Sequence, residues 1–358
     1  MNIRKQRQKE FAERWLNSDR RNILNLAPRM GKCFTSINIF EQFPPHATIL
    51  IAYPDEKIKL SWEEDFVKRE YSNPNITFVT HLSLHKYKDK IFDLIVIDEI
   101  HLLSENQINM CKELFVENKQ ILGLTGTLSS QTATILKKEL SLNVEAIYPI
   151  ELAIREGVIT DYEIEVIKVP LDDKIIQSFK KPRTEKKQFD AYSHVINKME
   201  EEGKNTMFLR LARMRIIQNS LSKLQKTKEF LLQWKDERIL VFCGAIKIAD
   251  KLGIPSHHSK NNKKQIFDDF VKGIGNQLAV IQIGNTGVTY LPLNKVIINY
   301  TNSNSEDLCQ KIMRCLSIEY NNLDKKAHIY IISSTEPEEL RWIKRALEFF
   351  QKDKIKYI

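Results

Sequence analysis

No stretch of the chain approaches the roughly 20 consecutive apolar residues that would span a bilayer, so no membrane partner is expected. The opening MNIRKQRQKEF lacks the apolar segment of a secretory leader. Cysteine is scarce and unpatterned. Cys33, Cys111, Cys243, Cys309 and Cys315 are five, an odd number, and none stands in a CxxC pair. Neither a zinc site nor a disulfide framework is indicated. The second half has no cluster of metal-binding acids of the kind a nuclease would need, and the pair His257-His258 suggests no third or fourth ligand. These absences exclude secreted, membrane-spanning and zinc-scaffold classes. They leave an expectation of a monomer working in a reducing cytoplasm.

A length of 358 residues is enough for two domains of ordinary size. Charged residues make up 28% and hydrophobic ones 42%, a globular balance. The net charge of +9 and pI near 9.1 permit a polyanionic partner. The charge is spread along the whole chain, however, and marks no single binding face.

The most informative stretch is Ile91 to His101, IFDLIVIDEIH. Its apolar, β-branched run reads as a strand buried on both faces, as in a parallel sheet. Asp98 and Glu99 then stand at the strand's carboxyl end, where open α/β sheets place their ligands. Adjacent acids there suit a magnesium nucleotide, with one carboxylate holding the metal through water and the other orienting an attacking water. Taken alone, the stretch fits equally a strand that ends in a solvated acidic turn.

The flanking segments alternate strand and helix. Residues 3–16 pattern as an amphipathic helix with Phe11, Trp15 and Leu16 inward. Ile23–Leu26 reads as a short strand and Phe34–Phe40 as the helix after it. Between them a tight loop ends in Gly31-Lys32, whose amides and following helix terminus can cradle phosphates, with Lys32 reaching the β/γ-phosphates. The loop departs from the GxxxxGK[ST] pattern: Leu26 takes the place of the first glycine and Cys33 that of the magnesium-binding hydroxyl. A thiol is a poor ligand for a hard cation. An ordinary strand–helix turn is the competing reading. Further strands are predicted at Thr48–Ala52, Ile76–Val79 and Gln120–Thr125, with a helix over Ser104–Phe115; this is a doubly wound parallel sheet. Thr125, Gly126 and Thr127 then share a rim with Lys32 and Asp98.

Residues 171–235 are polar and helical in pattern, with a basic stretch at Lys180–Lys187. Arg210, Arg213 and Arg215 fall on one short helical segment, where they track a phosphate backbone or form a solvated face. Strand signals return at Arg238–Cys243, Leu278–Ile283, Lys295–Tyr300 and His328–Ile332, predicting a second α/β domain.

In this order the segments resemble the superfamily 2 helicases and translocases over roughly residues 3–335. KQRQ places Gln8 like the glutamine that reads adenine. APRMGKC is similar to motif I, with Arg29, Met30, Gly31, Lys32 and Cys33 in the phosphate loop. ILIAYP and SWEEDF resemble motif Ia and its helix, and THLSL, with Thr80, the nucleic-acid-contacting segment that follows. Asp98-Glu99-Ile100-His101 is a DExH form of motif II, and LTGTL, with Thr125 and Thr127, resembles motif III. ILVFCGAIKIADKL resembles motif IV. QIGNTGVTYLPLNKVII resembles motif V in its Thr286-Gly287 form, known among double-strand translocases and compact phage branch-remodelling enzymes. EDLCQKIMRCLS resembles motif VI, keeping Gln310 and Arg314 but carrying Met313 and Ser317 where the pattern has glycine and a second arginine.

The resemblance implies an α/β fold of two tandem RecA-like doubly wound parallel-sheet domains joined by a helical linker region. The boundaries expected are 1–165 for the first domain, 166–235 for the linking region and 236–358 for the second domain. It implies ATP and Mg²⁺ as cofactors. Lys32 and Gly287 would bind nucleotide, Asp98 hold the metal and Glu99 activate water. Gln310 and Arg314 would complete the site, His101, Thr125 and Thr127 couple it, and Thr80 and Thr286 grip nucleic acid. DNA is favoured over RNA, and an accessory protein could supply a wedge or the missing arginine. A phage origin would place the protein in its host's cytoplasm. The changes at Cys33, Met313 and Ser317 keep open an ATP-switched nucleic-acid clamp with weak or partner-dependent hydrolysis. A packaging motor with a nuclease second half is a further class, disfavoured by the motif V and VI order.

Overall fold

The apolar strings ILIAY, LIVID and ILGLT form strands buried at every position, as expected where helices cover both faces of a parallel sheet. The computed structural model describes residues 2–175, 183–260, 264–281, 293–316 and 325–358. The chain divides into two compact units, Met1–Ile159 and Thr160–Ile358.

The first unit runs α1 (Ile3–Leu16), β1 (Arg21–Leu26), α2 (Lys32–Phe40), β2 (Ile49–Tyr53), α3 (Glu56–Lys68), β3 (Ile76–Thr80), β4 (Leu94–Asp98), α4 (Glu105–Leu114), β5 (Ile121–Thr125), α5 (Ser130–Leu140), β6 (Asn143–Tyr148) and α6 (Ile150–Arg155). Its six strands are parallel, in the order β3-β2-β4-β5-β1-β6. Side chains alternate across the sheet. Ile95 and Ile97 of β4 enter a core with Ile108, Cys111 and Leu114 of α4 and Leu136 and Leu140 of α5. Asp98 has the opposite parity and meets α3, beside an aromatic group of Phe40, Trp62, Phe66 and Tyr71. A capping box starts α4: Ser104 accepts from the Gln107 amide, and the Gln107 side chain accepts from the Ser104 amide.

The second unit runs β7 (Asp161–Val169), α7 (Glu185–Glu201), α8 (Met207–Gln218), α9 (Leu221–Gln233), β8 (Ile239–Phe242), α10 (Ile246–Lys251), β9 (Ser256–His257), α11 (Lys264–Val271), β10 (Gln277–Val280), β11 (Lys295–Ile298), α12 (Ser305–Ile312), β12 (Lys326–Ser334), α13 (Pro337–Leu347) and β13 (Ile355–Tyr357). Its described strands form one parallel sheet in the order β13-β7-β12-β11-β8-β10-β9.

This division corrects the expected boundaries. The first unit ends at Ile159, not at 165, because Asp161–Val169 is a strand paired with β12 along its whole length. Its acids Glu163 and Glu165 alternate with buried Tyr162, Ile164 and Val166, so one face of the strand is core. Residues 166–235 are likewise no separate linking region. Leu224 and Leu231 of α9 lie in the core with Ile239 and Val241 of β8. Glu185, at the start of α7, accepts from Ser220 Oγ and the Leu221 amide at 2.9 and 3.0 Å. Arg210 pairs with Glu200 and Arg213 with Glu338 of α13, so these two arginines serve the fold, while Arg215 is exposed.

Beneath α9, Lys223 pairs with Glu339 of α13, and both side chains have no solvent exposure. Glu339 also accepts from the Thr301 hydroxyl at 2.5 Å and the Ser334 amide at 2.6 Å. Asn299 donates to the Lys223 carbonyl at 3.1 Å and to Thr227 Oγ1 at 2.6 Å. The network ties polar groups of the two helices α9 and α13 to the carboxyl ends of β11 and β12, where water is excluded and each group needs a protein partner.

Candidate active site

β1 ends at Leu26, and the chain reverses so that the Met30 amide donates to the Ala27 carbonyl at 3.1 Å. Arg29 and Gly31 both take left-handed backbone, with φ of 68° and 88°. Gly31 caps the nine-residue helix α2 without any side-chain hydrogen bond to its first amides. A helix start of this kind presents N–H groups and the positive end of the helix dipole to an anion. Gln8 of α1 is buried and donates its amide to the Met30 carbonyl at 2.8 Å. A Cβ on Gly31 would lie 2.5 Å from that Gln8 nitrogen. Gly31→Ala is therefore expected to cost the first unit about 1–3 kcal/mol, from left-handed strain and displacement of Gln8, read by hydrogen exchange of the β1 and β5 amides. A loss below about 0.5 kcal/mol would show that the loop relaxes freely.

Lys32, the first residue of α2, forms an ion pair with Glu99. Glu99 follows β4 with a left-handed backbone, φ 49°. The Glu99 amide donates to Asp98 Oδ1 at 2.9 Å, and the Trp62 indole donates to Asp98 Oδ2 at 2.9 Å. Burial works against the charge on Lys32, but Glu99 and then Asp98 outweigh it and lift its pKa above the ordinary lysine value. Burial raises the Asp98 carboxyl to about 6, with Lys32 opposing and Glu99 adding. Burial also acts on Glu99, yet Lys32 and then His101 hold it below its ordinary value. Two neighbouring acids with opposed shifts are a recurrent sign of divided roles.

The His101 side chain is buried against the Thr125–Thr127 segment. Its Nδ1 lies 2.8 Å from the Thr125 hydroxyl and 3.4 Å from Glu99 Oε2, and its Nε2 lies 3.4 Å from the Thr127 hydroxyl. The Thr127 amide in turn donates to Thr125 Oγ1 at 3.2 Å. The structure thus brings Lys32, Asp98, Glu99, His101, Thr125 and Thr127 together at one rim of the first sheet. Thr80 lies at the end of the edge strand β3, its hydroxyl donating to Ser83 at 3.2 Å.

Gln310 and Arg314 belong to the second unit. Gln310 is half-buried near the end of α12, and Arg314 is buried in the 3-10 turn that follows. Thr286, Gly287 and Ser317 lie outside the described residues.

Three contacts were not legible in the sequence: Gln8 to Met30, Trp62 to Asp98, and His81 to β4. His81 Nε2 lies 2.9 Å from the Asp98 carbonyl oxygen, which only accepts, so that nitrogen carries the proton. Burial lowers His81 to about 4 and keeps it neutral near pH 7. Nothing in sequence spacing links residues 36 or 17 positions apart from their partner.

The donor set fits a magnesium nucleotide, with one exception. The cation Lys32, the α2 terminus and two carboxylates match phosphates and a divalent ion. Cys33 does not supply the usual hydroxyl. Burial, then the charges of Asp65 and Asp98, push its thiol well above its ordinary pKa, so it stays protonated. Among the described residues no group of three or more His, Cys, Asp or Glu could hold a metal by itself.

The two parallel sheets, the first with a phosphate-type loop and paired acids on its carboxyl rim, form a tandem RecA-like fold. The fold is similar to that of S. cerevisiae Dbp5 bound to RNA and ADP BeF3, with a TM-score of 0.60 and 11% identity over 98% of this chain and 88% of that one. It is also similar to the Pyrococcus furiosus Hef helicase domain, with a TM-score of 0.53 and 13% identity over 94% of this chain and 97% of that one. In sequence the chain is 22% identical over 385 residues to the DNA 3'-5' translocase XPB2 of Sulfurisphaera tokodaii, spanning 95% of this chain and 84% of XPB2. No family model matches the chain. Among the described residues no helix is long and apolar enough to cross a membrane.

Proposed function

We propose that the chain is an ATP-dependent nucleic-acid helicase or translocase acting on DNA. The observation that carries this reading is the grouping of half-buried Lys32 and Glu99 with Asp98 and His101 directly behind the left-handed Gly31. The preference for DNA rests on the likeness to XPB2, a DNA translocase by name.

In this mechanism the loop amides and Lys32 bind the phosphates, and an incoming phosphate competes with Glu99 for Lys32. Glu99, relieved of that partner, takes a proton from the attacking water. Asp98 would hold Mg²⁺, which would supply charge neutralisation on the phosphates. His101 contacts both Glu99 and Thr125, so a change at Glu99 is felt at motif III. Nucleic acid gripped by its backbone needs no base contacts, which makes the motor independent of sequence.

The test is ATP hydrolysis by purified protein alone and with single-stranded, double-stranded and forked DNA and with RNA, with Lys32→Ala as the control. DNA is expected to raise the rate severalfold and Lys32→Ala to abolish it. Nucleotide binding with no polymer stimulation would favour the clamp reading, for which the protonated Cys33 thiol is the specific support. Stimulation by RNA alone would overturn the DNA preference.

A further inference from the structure

Asp98 carries an unusual burden here. With a thiol at position 33, the hydroxyl that would help to hold the metal is missing, so the proposed metal rests on one carboxylate. The direction in which that carboxylate points then matters more than it would in a site with two anchors.

Both Asp98 oxygens already accept one hydrogen bond: Oδ1 from the Glu99 amide and Oδ2 from the Trp62 indole, each at 2.9 Å. A carboxylate has about four acceptor positions, so lone pairs remain on both oxygens for a metal-bound water. The two bonds fix its rotation. The Glu99 donor is backbone and comes with the left-handed turn after β4. The Trp62 donor comes from α3, 36 residues away. Its ring is 2% exposed and is itself clamped, stacked on Phe40 at 6.1 Å and edge-on to Phe66 at 5.8 Å. An indole N–H is donor only, so it cannot turn and compete for the metal as a hydroxyl or amide oxygen would.

We infer that Trp62 is a positioning residue of the nucleotide site: its buried indole N–H aims the Asp98 carboxylate at the metal and compensates for the hydroxyl that Cys33 lacks. The inference rests on the nucleotide reading above. Outer-shell partners of this kind commonly change metal affinity about 10–100-fold when removed.

The experiment measures binding, not turnover. Fluorescent mant-ATP is titrated at fixed protein over a series of Mg²⁺ concentrations, and the half-saturating Mg²⁺ is read. Trp62→Phe keeps an aromatic ring but deletes the N–H. A second variant carries benzothienylalanine at position 62, which keeps the indole's shape and replaces only the N–H by sulfur. Both are expected to raise the half-saturating Mg²⁺ about tenfold, with metal-independent mant-ATP binding unchanged. Phe66→Leu, in the same aromatic group, is the structural control. It is expected to speed hydrogen exchange of the β2 and β4 amides and leave the Mg²⁺ midpoint in place. Cys33→Thr should reduce the effect of Trp62→Phe by restoring a second anchor. A wild-type midpoint in the benzothienyl variant overturns the positioning role alone. A midpoint that Phe66→Leu moves equally overturns it as well, in favour of general packing. Wild-type protein that binds no mant-ATP at any Mg²⁺ concentration overturns the nucleotide reading together with it.

Discussion

Glu99→Gln is expected to cut DNA-stimulated ATP turnover on the order of 100-fold while nucleotide binding is retained, since a positioned general base contributes about that much or more. Glutamine keeps the shape of the side chain but cannot take a proton. It also removes the anion that pairs with Lys32, so that cation is left to the phosphates and affinity should hold or rise. His101 loses its charged neighbour 3.4 Å away but keeps the Thr125 hydroxyl at 2.8 Å, so the packing of motif III should survive. Phosphate release under saturating ATP, measured beside mant-ATP binding, separates the two effects. Turnover at the wild-type level would remove Glu99 from the role of base. Loss of binding together with turnover would show instead that Glu99 shapes the loop.

Lys223→Ala is expected to destabilise the second unit by about 3–5 kcal/mol, the range for removing one partner from a buried ion pair. Its side chain and that of Glu339 are both fully buried, and alanine would leave the carboxylate with only the Thr301 hydroxyl and Ser334 amide as donors. Surface pairs in the same chain differ in kind. Lys204–Glu202, for example, is exposed on both sides and belongs to the class worth about 0–1 kcal/mol. With two units in the chain, a single unfolding midpoint is not a sound readout. Hydrogen exchange of the β11 and β12 amides reads the second unit directly. Faster exchange there with unchanged protection in β4 is the expected outcome. Protection that falls by less than about tenfold would mean that water or a rearranged neighbour replaces Lys223.

Much of the first unit was legible because its strands are continuous apolar strings. β2 and β5 fall within a residue of the positions read from sequence, β4 lies inside the stretch read from Ile91 onward, and acids after a buried run marked the rim. β7 was not legible in this way. Its alternation of glutamates with apolar residues suits a half-buried strand, but its principal partner β12 lies more than a hundred positions downstream, so local pattern neither placed it in the second sheet nor set the boundary at Ile159. The arginines of α8 were open to two readings, a phosphate track or a solvated face, and in the structure Glu200 pairs with Arg210 and Glu338 with Arg213, contacts that local pattern does not name.

The sequence by itself determined the order of the motifs, the chemistry available at each and the departures at Cys33, Met313 and Ser317, because those depend on residue identity and short spacing. Only the tertiary structure decided that Lys32 pairs with Glu99, that His101 faces Thr125 and Thr127, and that Trp62 and His81 hold Asp98. The physical reason is the parallel sheet. Each strand returns through a helix to the same edge, so residues dozens of positions apart meet at one rim where burial, and not sequence neighbourhood, sets their partners and charges.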